Sequence, residues 1–406
     1  MSPRRRWRAA TNALSDGVRP LAWLLVLAHL LVTAWRLRAA WWWQDDLVLL
    51  SRAADRSLFD LLFSNYNGHL IPGTWAVAWL VDATSSYGWG WAIVSICALV
   101  LVVDVVFMAV LVRLFGARPA VLVPLTMWVS AGSMMTPTLW WAAAMQWLPV
   151  TASLLLALFH HVQYWRSQRT RSAAGAVLSV AFGLAFFEKA VLIVGVLFVF
   201  TVLYGVSGSL PQRLRAALSR APDYWGGHLV LVVTYAVIYL PAAQGAGKAS
   251  YSVSDLAGPA RQFTLNLVLP SVFGGPLEWF GQYSSLPAAP IWFRVTSWTL
   301  TAVIVLGSLW WRRGAWRAWV FLLTFTAITL TLLGLTRLGF LGEVIGLDGR
   351  YSADVVAVTI LCFALAWLPV QQPPADDGMI ILPATREQHR RRDRQQLLNP
   401  PRHRSV

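Results

Sequence analysis

The residues best placed to do chemistry are a few ionisable side chains beside long apolar runs. Gln44-Asp45-Asp46 stands directly after Trp41-Trp42-Trp43, at the end of the first such run. Adjacent residues on a helix point about 100° apart, so one carboxylate can face a cavity while its neighbour takes hydrogen bonds from the scaffold. A helix-end cap flanking the membrane would use the same two residues, and spacing alone does not separate the two readings. Context favours a site: an amphipathic segment opens at the pair, and a lone His69 lies downstream in Asn67-Gly68-His69-Leu70-Ile71-Pro72.

Other candidates lie at the ends of later runs. Glu188-Lys189 follows Phe186-Phe187 between two apolar stretches, where it reads either as a tight turn or as part of a site. Neighbouring opposite charges offset their own burial only with good geometry. Arg337 ends one run, and Arg350-Tyr351 precedes the last, within Leu347-Asp348-Gly349-Arg350-Tyr351-Ser352-Ala353-Asp354. A lone interfacial Arg can also be a snorkelling anchor. Asp104 sits inside Leu101-Val102-Val103-Asp104-Val105-Val106-Phe107. An acid in hydrocarbon is costly and is a site hypothesis by default. A hydrogen bond between helices, to Thr126 or Thr138 for example, is the favoured reading here over a proton or ion path. Cys97 and Cys362 both fall inside apolar runs and suggest neither a disulfide nor a metal site.

These residues need a scaffold, and composition specifies its solvent. Of 406 residues 57% are hydrophobic and 13% charged, with mean hydropathy +0.56 and 24 Trp. Apolar runs of about 17–25 residues are what a bilayer demands, and Trp collects where hydrocarbon meets water. The expected fold is all-α, a polytopic membrane protein with about ten transmembrane helices near 21–43, 91–112, 119–134, 140–163, 172–187, 190–206, 227–243, 291–311, 317–336 and 352–369. An even count places the N- and C-termini on one side. The basic start, Met1 to Arg8, resembles a signal peptide but lacks a small-residue cleavage pattern, so an uncleaved first span is expected.

A net charge of +15 and a pI near 10.8 would suggest nucleic acid in a soluble protein. Here the bases gather before the first span, at Arg113–Arg118, Arg166–Arg171, Arg213–Arg220 and Arg312–Arg317, and after residue 370. That is the positive-inside pattern, and it assigns those segments to the cytoplasm and excludes a nucleic-acid partner. The expected organisation is a cytoplasmic basic N-terminus over 1–20, a transmembrane domain over 21–370 and a disordered basic cytoplasmic tail over 371–406, whose arginines can touch anionic membrane lipids. The chain is expected in the cell membrane, with long outer segments at 44–90, 244–290 and 337–351.

Residues 47–62 put Leu47, Leu50, Ala54, Leu58, Leu61 and Leu62 on one side of a helical wheel, so an amphipathic surface helix is expected in the first outer loop. Asn65-Tyr66-Asn67-Gly68 then predicts a turn. The apolar stretch 262–280 carries Pro270, Gly274, Gly275 and Pro276 and is expected to re-enter or lie on the surface rather than span.

This arrangement resembles the GT-C class of integral-membrane glycosyltransferases. The resemblance covers roughly residues 20–370 and rests on Asp45-Asp46, Asn67–Pro72, Trp140–Pro149, Phe187-Glu188-Lys189 and Gly349-Arg350-Tyr351. It implies a catalytic site facing away from the cytoplasm and a polyprenyl-phosphate sugar donor. The acceptor would be a glycan, lipid or protein of the cell envelope. Asp45 or Asp46 would then be the catalytic base. Arg350, Arg337, Lys189 and His69 would be candidates for the donor phosphate, with Glu188 and Tyr351 in the same substrate-binding set. The class sometimes uses a divalent metal at the acidic site, and two carboxylates without a clear third ligand leave that open. The large soluble C-terminal domain that several members carry is not expected here. The rival expectation is a transporter or flippase of a lipid or polar solute. Such a protein would concentrate ionisable groups near mid-bilayer, whereas this sequence places them in outer segments, Asp104 excepted.

Overall fold

Runs of Leu, Val, Ala and Trp fold as long helices because hydrocarbon offers a backbone N–H or C=O no partner outside its own segment. The computed structural model describes residues 3–85, 87–242, 253–280 and 286–371. In it α1 spans Pro3–Leu37, and the short helices α2 (Asp45–Asp55), α3 (Leu58–Leu62) and α4 (Pro72–Ser85) precede α5 (Trp89–Phe115). Then come α6 (Leu122–Val129), α7 (Met135–Leu139), α8 (Trp141–Ser167), α9 (Thr170–Leu184) and α10 (Leu192–Phe200). The second half holds α11 (Leu210–Ser219), α12 (Pro222–Ala242), α13 (Ala257–Arg261), α14 (Leu269–Ser271), α15 (Ile291–Trp311), α16 (Trp316–Leu341) and α17 (Ala353–Trp367). Two small antiparallel pairs are the strands among the described residues: β1 (Asn65–Tyr66) with β2 (His69–Leu70), and β3 (Glu278–Phe280) with β4 (Leu286–Ala288).

Among the described residues eight helical segments are long and apolar enough to cross a membrane: Gly17–Leu37, Trp89–Phe115, Trp141–Ser167, Glu188–Gly205, Pro222–Pro241, Ile291–Trp311, Trp316–Leu338 and Gly349–Trp367. The pair Pro119–Val129 and Gly132–Leu139, bent by 44°, makes a ninth if counted as one span. These match nine of the ten expected segments. The break at Ser130-Ala131 falls where Gly132 begins a 3-10 turn and no continuous ladder joins the two helices. The segment expected at 172–187 forms α9, whose 15 residues reach about 22 Å, less than the roughly 30 Å of a hydrocarbon core.

Two poles can be told apart from contacts alone. At one, the Trp89 indole donates to the Leu37 carbonyl at 2.7 Å, and Trp42 packs edge-on against both Trp89 and Trp141. At the other, Arg166 donates to the carbonyls of Arg113 and Gln371, 2.8 Å each, and Arg213 and Arg317 lie within one another's field. The first pole carries the acidic pair and the second gathers the basic loops. Between them α8 and α17 are central, with 83% and 89% of their most apolar stretches inside the protein.

The surface helix expected over 47–62 is two helices. Its phase breaks at Arg56-Ser57, where Ser57 caps α3 by accepting the Asp60 N–H. The buried face is therefore Asp46, Leu49, Leu50 and Ala53 in α2 and Leu61 in α3, while Leu47 and Ala54 are exposed. That face packs on protein. The turn expected at 65–68 is a hairpin with Asn67 and Gly68 at φ 52° and 83°, the left-handed pair that an Asn-Gly turn favours. The stretch 262–280 continues α13 through π-helical turns to α14 and then reverses at Gly274–Pro276, without spanning. From residue 372 onward the expected tail lies outside the described residues.

Candidate functional site

The first turn of a helix leaves backbone N–H groups without intrahelical partners. At the start of α8 Asp46 supplies one: its Oδ1 accepts the Ala142 N–H at 2.7 Å. Oδ2 accepts the Trp43 N–H at 2.9 Å, a contact made as Gln44 turns the chain at φ 41°. Asp46 has no exposed surface. Burial pushes its carboxyl up to about 7 despite the amides that favour the ionised form, and neighbouring Asp45 adds to the rise.

Asp45 is only half-buried and behaves differently. Its Oδ1 accepts the Tyr66 hydroxyl at 2.6 Å, while Oδ2 has no protein partner among the described residues. The hairpin β1–β2 holds Tyr66 in place, with the Arg52 guanidinium over its ring at 5.3 Å. Burial and the adjacent carboxylate hold the Tyr66 phenol protonated well above the usual range. The expected division of labour is thus realised on the scaffold side: Asp46 is tied to amides and Asp45 keeps a free edge.

The same hairpin places His69 between two long-range partners. Arg337, near the end of α16, donates from Nη2 to His69 Nε2 at 2.9 Å. Arginine has no acceptor, so Nε2 carries the lone pair and Nδ1–H donates to Glu188 Oε1 at 2.7 Å. Glu188 Oε2 is buried without a partner. Arg337 also hydrogen-bonds Tyr351.

Two other cations already have carboxylates. Arg350 forks onto both oxygens of Asp348, at 3.0 and 2.9 Å from Nε, and stacks over Trp140 at 4.4 Å. Asp348 also caps the 3-10 turn Gly349–Ser352 by accepting the Arg350 N–H. Asp45 acts on Arg350 through its charge. Lys189 is buried and reaches both oxygens of Asp354, at 2.9 and 2.7 Å, with Trp147 4.7 Å from its Nζ. Glu188 and Lys189, adjacent in sequence, therefore do not pair with each other. Trp147 packs edge-on against Tyr351 and Phe187, and Phe187 lies 5.3 Å from the His69 ring.

Asp45, Asp46, His69, Glu188, Lys189, Arg337, Arg350 and Tyr351 are thus brought to one pole and linked by hydrogen bonds, ring contacts and charge. Sequence reasoning missed the roles of Asp348, Asp354, Tyr66, Trp140 and Trp147 in this cluster. Asp348 had a signal, two residues before Arg350 in a tight Asp-Gly-Arg turn. Tyr66 had one too, since alternation in the hairpin puts it across from His69.

No group of three or more His, Cys, Asp and Glu side chains that could hold a metal is present among the described residues. Both Asp46 oxygens accept amide N–H groups. Asp104 lies apart from the cluster. Its partners are His29 Nδ1 at 2.8 Å and the Trp128 N–H at 2.7 Å, in place of the expected threonines.

No family model matches the chain, and neither a curated protein nor a solved structure matches it. The helices themselves decide the class. The chain is a polytopic helical membrane protein. Within it, the ionic cluster at the acid-bearing pole is the candidate site.

Proposed function

We propose that this polytopic protein is a membrane glycosyltransferase of GT-C-like architecture, moving a sugar from a polyprenyl-phosphate donor to a cell-envelope acceptor on the non-cytoplasmic face. One observation carries the reading. Within a single linked cluster, Lys189 and Arg350 are matched by Asp354 and Asp348. Two carboxylates keep an unpartnered oxygen, Glu188 with its Oε2 enclosed and Asp45 with a partly exposed one, and Arg337 is the guanidinium without a carboxylate.

Glycosyl transfer from a lipid phosphate needs that combination. As the acceptor oxygen bonds to the anomeric carbon, its proton passes to Asp45 Oδ2. The bond from that carbon to the phosphate oxygen breaks on the opposite face with inversion, and its electron pair leaves with the phosphate. Arg337 meets the resulting anion. Arg350 remains engaged by Asp348. Neutral His69 positions Arg337 by accepting its Nη2–H, and Glu188 fixes the tautomer.

The ten-crossing topology, with both termini cytoplasmic, belongs to the same reading. It takes residues 116–140 across despite their bend, in keeping with α5 ending at the basic pole and α8 starting at the acidic one. It takes α9 and its extension across as well, between Arg166 and Glu188. A bilayer can thin locally around a short helix at modest cost.

Translocation of a lipid or polar solute is the second reading, favoured by the buried Asp104–His29 pair inside two apolar spans. Incubating purified protein with a panel of polyprenyl-phosphate sugars separates the two. Consumption of one donor with release of polyprenyl phosphate supports the transferase, and consumption of none across the panel with acceptor present removes it.

A further inference from the structure

A cavity of about 560 Å³ opens between α1, the α6–α7 break and the turn that enters β3. That is within the size range of sites for small ligands, which run roughly 300–1,000 Å³. On α1 its lining is one stripe, Leu25, Ala28, His29, Val32, Thr33 and Arg36; Ser130, Met134, Thr138, Leu277 and Trp279 form the other walls. The opposite side of α1, including Leu24, Leu27, Leu31 and Trp35, is exposed and apolar. The cavity therefore lies beside the lipid-facing surface of the first span.

Arg36 and His29 line this cavity, and among the described residues no Asp or Glu does. Arg36 has no hydrogen-bond or ion-pair partner among the described residues. Arg36, Thr33 and His29 line the cavity together. His29 uses Nδ1 on Asp104 and keeps Nε2 without a protein partner. Asp104 is in turn fully buried and held by the Trp128 N–H, so the imidazole is anchored from behind at Nδ1. The remaining walls are hydrocarbon, thioether and indole.

The cavity is distinct from the candidate site and shares no residue with it. The helical segment 132–139 separates them. Met134 and Thr138 face the cavity, while Ser133 and Thr136 pack on Gly349, where an added Cβ would stand 3.0 Å from the Ser133 carbonyl and 2.9 Å from Thr136 Oγ1.

We propose that this cavity is a lateral binding site for a phosphate-headed amphiphile that enters from the bilayer. Its phosphate sits between Arg36 and His29, and its chain runs along Leu25, Val32 and Leu277. The site holds whether or not the protein transfers sugars.

The test measures binding of dodecyl phosphate to the full chain in phosphatidylcholine nanodiscs, with dodecanol and inorganic phosphate as the two partial ligands. Dodecyl phosphate should bind at least tenfold more tightly than either. Arg36→Gln should weaken it about tenfold or more, the loss expected for one charge-assisted contact. Ala28→Phe, which fills the cavity from the same stripe, should weaken it without touching the charge. Arg337→Gln, at the guanidinium that the transferase reading assigns to the donor phosphate, should leave binding in this cavity unchanged, which separates the two sites. Equal affinity for dodecanol would make the cavity a mere apolar groove, and equal affinity for inorganic phosphate a simple anion site; either overturns the proposal. So does unchanged binding in both variants, or in Ala28→Phe alone if Arg36→Gln does not fold.

Discussion

Arg337 donates a hydrogen bond to Nε2 of His69, 268 residues earlier in the chain, and that contact decides which nitrogen of the imidazole carries the proton. It also leaves Arg337 bonded to neutral groups, the ring and the Tyr351 hydroxyl, while Arg350 and Lys189 each hold a carboxylate. A cation held by neutral partners is free to take an anion from outside.

Arg337 and Arg350 should therefore fail in different ways. Arg337→Lys keeps charge but loses the planar fork, and donor affinity should drop about tenfold or more. Arg350→Lys should cost stability first, because buried Asp348 loses its fork. Donor binding by titration and thermal unfolding of both variants read the two effects. A larger loss of binding for Arg350→Lys than for Arg337→Lys would reverse the assignment.

Asp46 makes a pH-dependent contribution whose sign is set by burial. Burial raises its folded carboxyl to about 7, against 3.8 for an ordinary aspartate. The folded state thus binds the proton more tightly, so this contribution is full below about pH 4 and is lost as pH rises through 7. The span is at most about 4 kcal/mol, at 1.36 kcal/mol per pH unit. Thermal unfolding of the purified protein between pH 5 and 8 should show stability falling with pH, and Asp46→Asn should flatten that fall. The same substitution should lower stability by about 1–2 kcal/mol, since the amide group cannot accept both N–H donors. A slope unchanged in Asp46→Asn would remove Asp46 as its source.

Lys189 and Asp354 form a buried pair, and removing one partner strands the other. Lys189→Met should cost about 3–5 kcal/mol, whereas Lys189→Met with Asp354→Leu should recover most of it. Yield and unfolding temperature of the single and double variants test this. A double variant no better than the single would mean that the pair is not the source of the loss.

Much of the fold was legible because hydrophobic runs carry it. Residues 291–311 form an apolar run between Pro290 and the basic Arg312-Arg313, and α15 has the same ends. The site was legible as a set, since ionisable residues beside the ends of spans have few places to go. Its pairings were not. His69 meets Glu188 across 119 residues and Lys189 meets Asp354 across 165, and neither neighbour composition nor period encodes such a contact. Asp104 was read as a hydrogen-bond donor's partner, but its donors came from α1 and a tryptophan rather than from the nearby threonines. The surface helix was misphased because a two-residue break at Arg56-Ser57 resets the wheel, a local event that a single long window averages away.

Topology can be read with thiol labels in a background lacking Cys97 and Cys362. Ala54 on α2 and Ser167 at the end of α8 are both exposed and belong to opposite poles. In intact cells an impermeant maleimide should label Ala54→Cys and spare Ser167→Cys until the membrane is opened. Labelling of Ser167→Cys alone would invert the orientation and put the candidate site in the cytoplasm.

The most direct test of the transferase account is the rate of sugar transfer by Asp45→Asn. The substitution keeps the shape and the bond to Tyr66 but removes proton acceptance, so the chemical step should slow by roughly 10²–10⁴. Unfolding temperature should hold, because Asp45 is half-exposed and caps no helix. Single-turnover transfer from the donor identified in the panel, measured for wild type and Asp45→Asn at the same donor saturation, gives the answer. A loss of that size in a stably folded variant is the predicted result, and a rate equal to wild type would contradict the account.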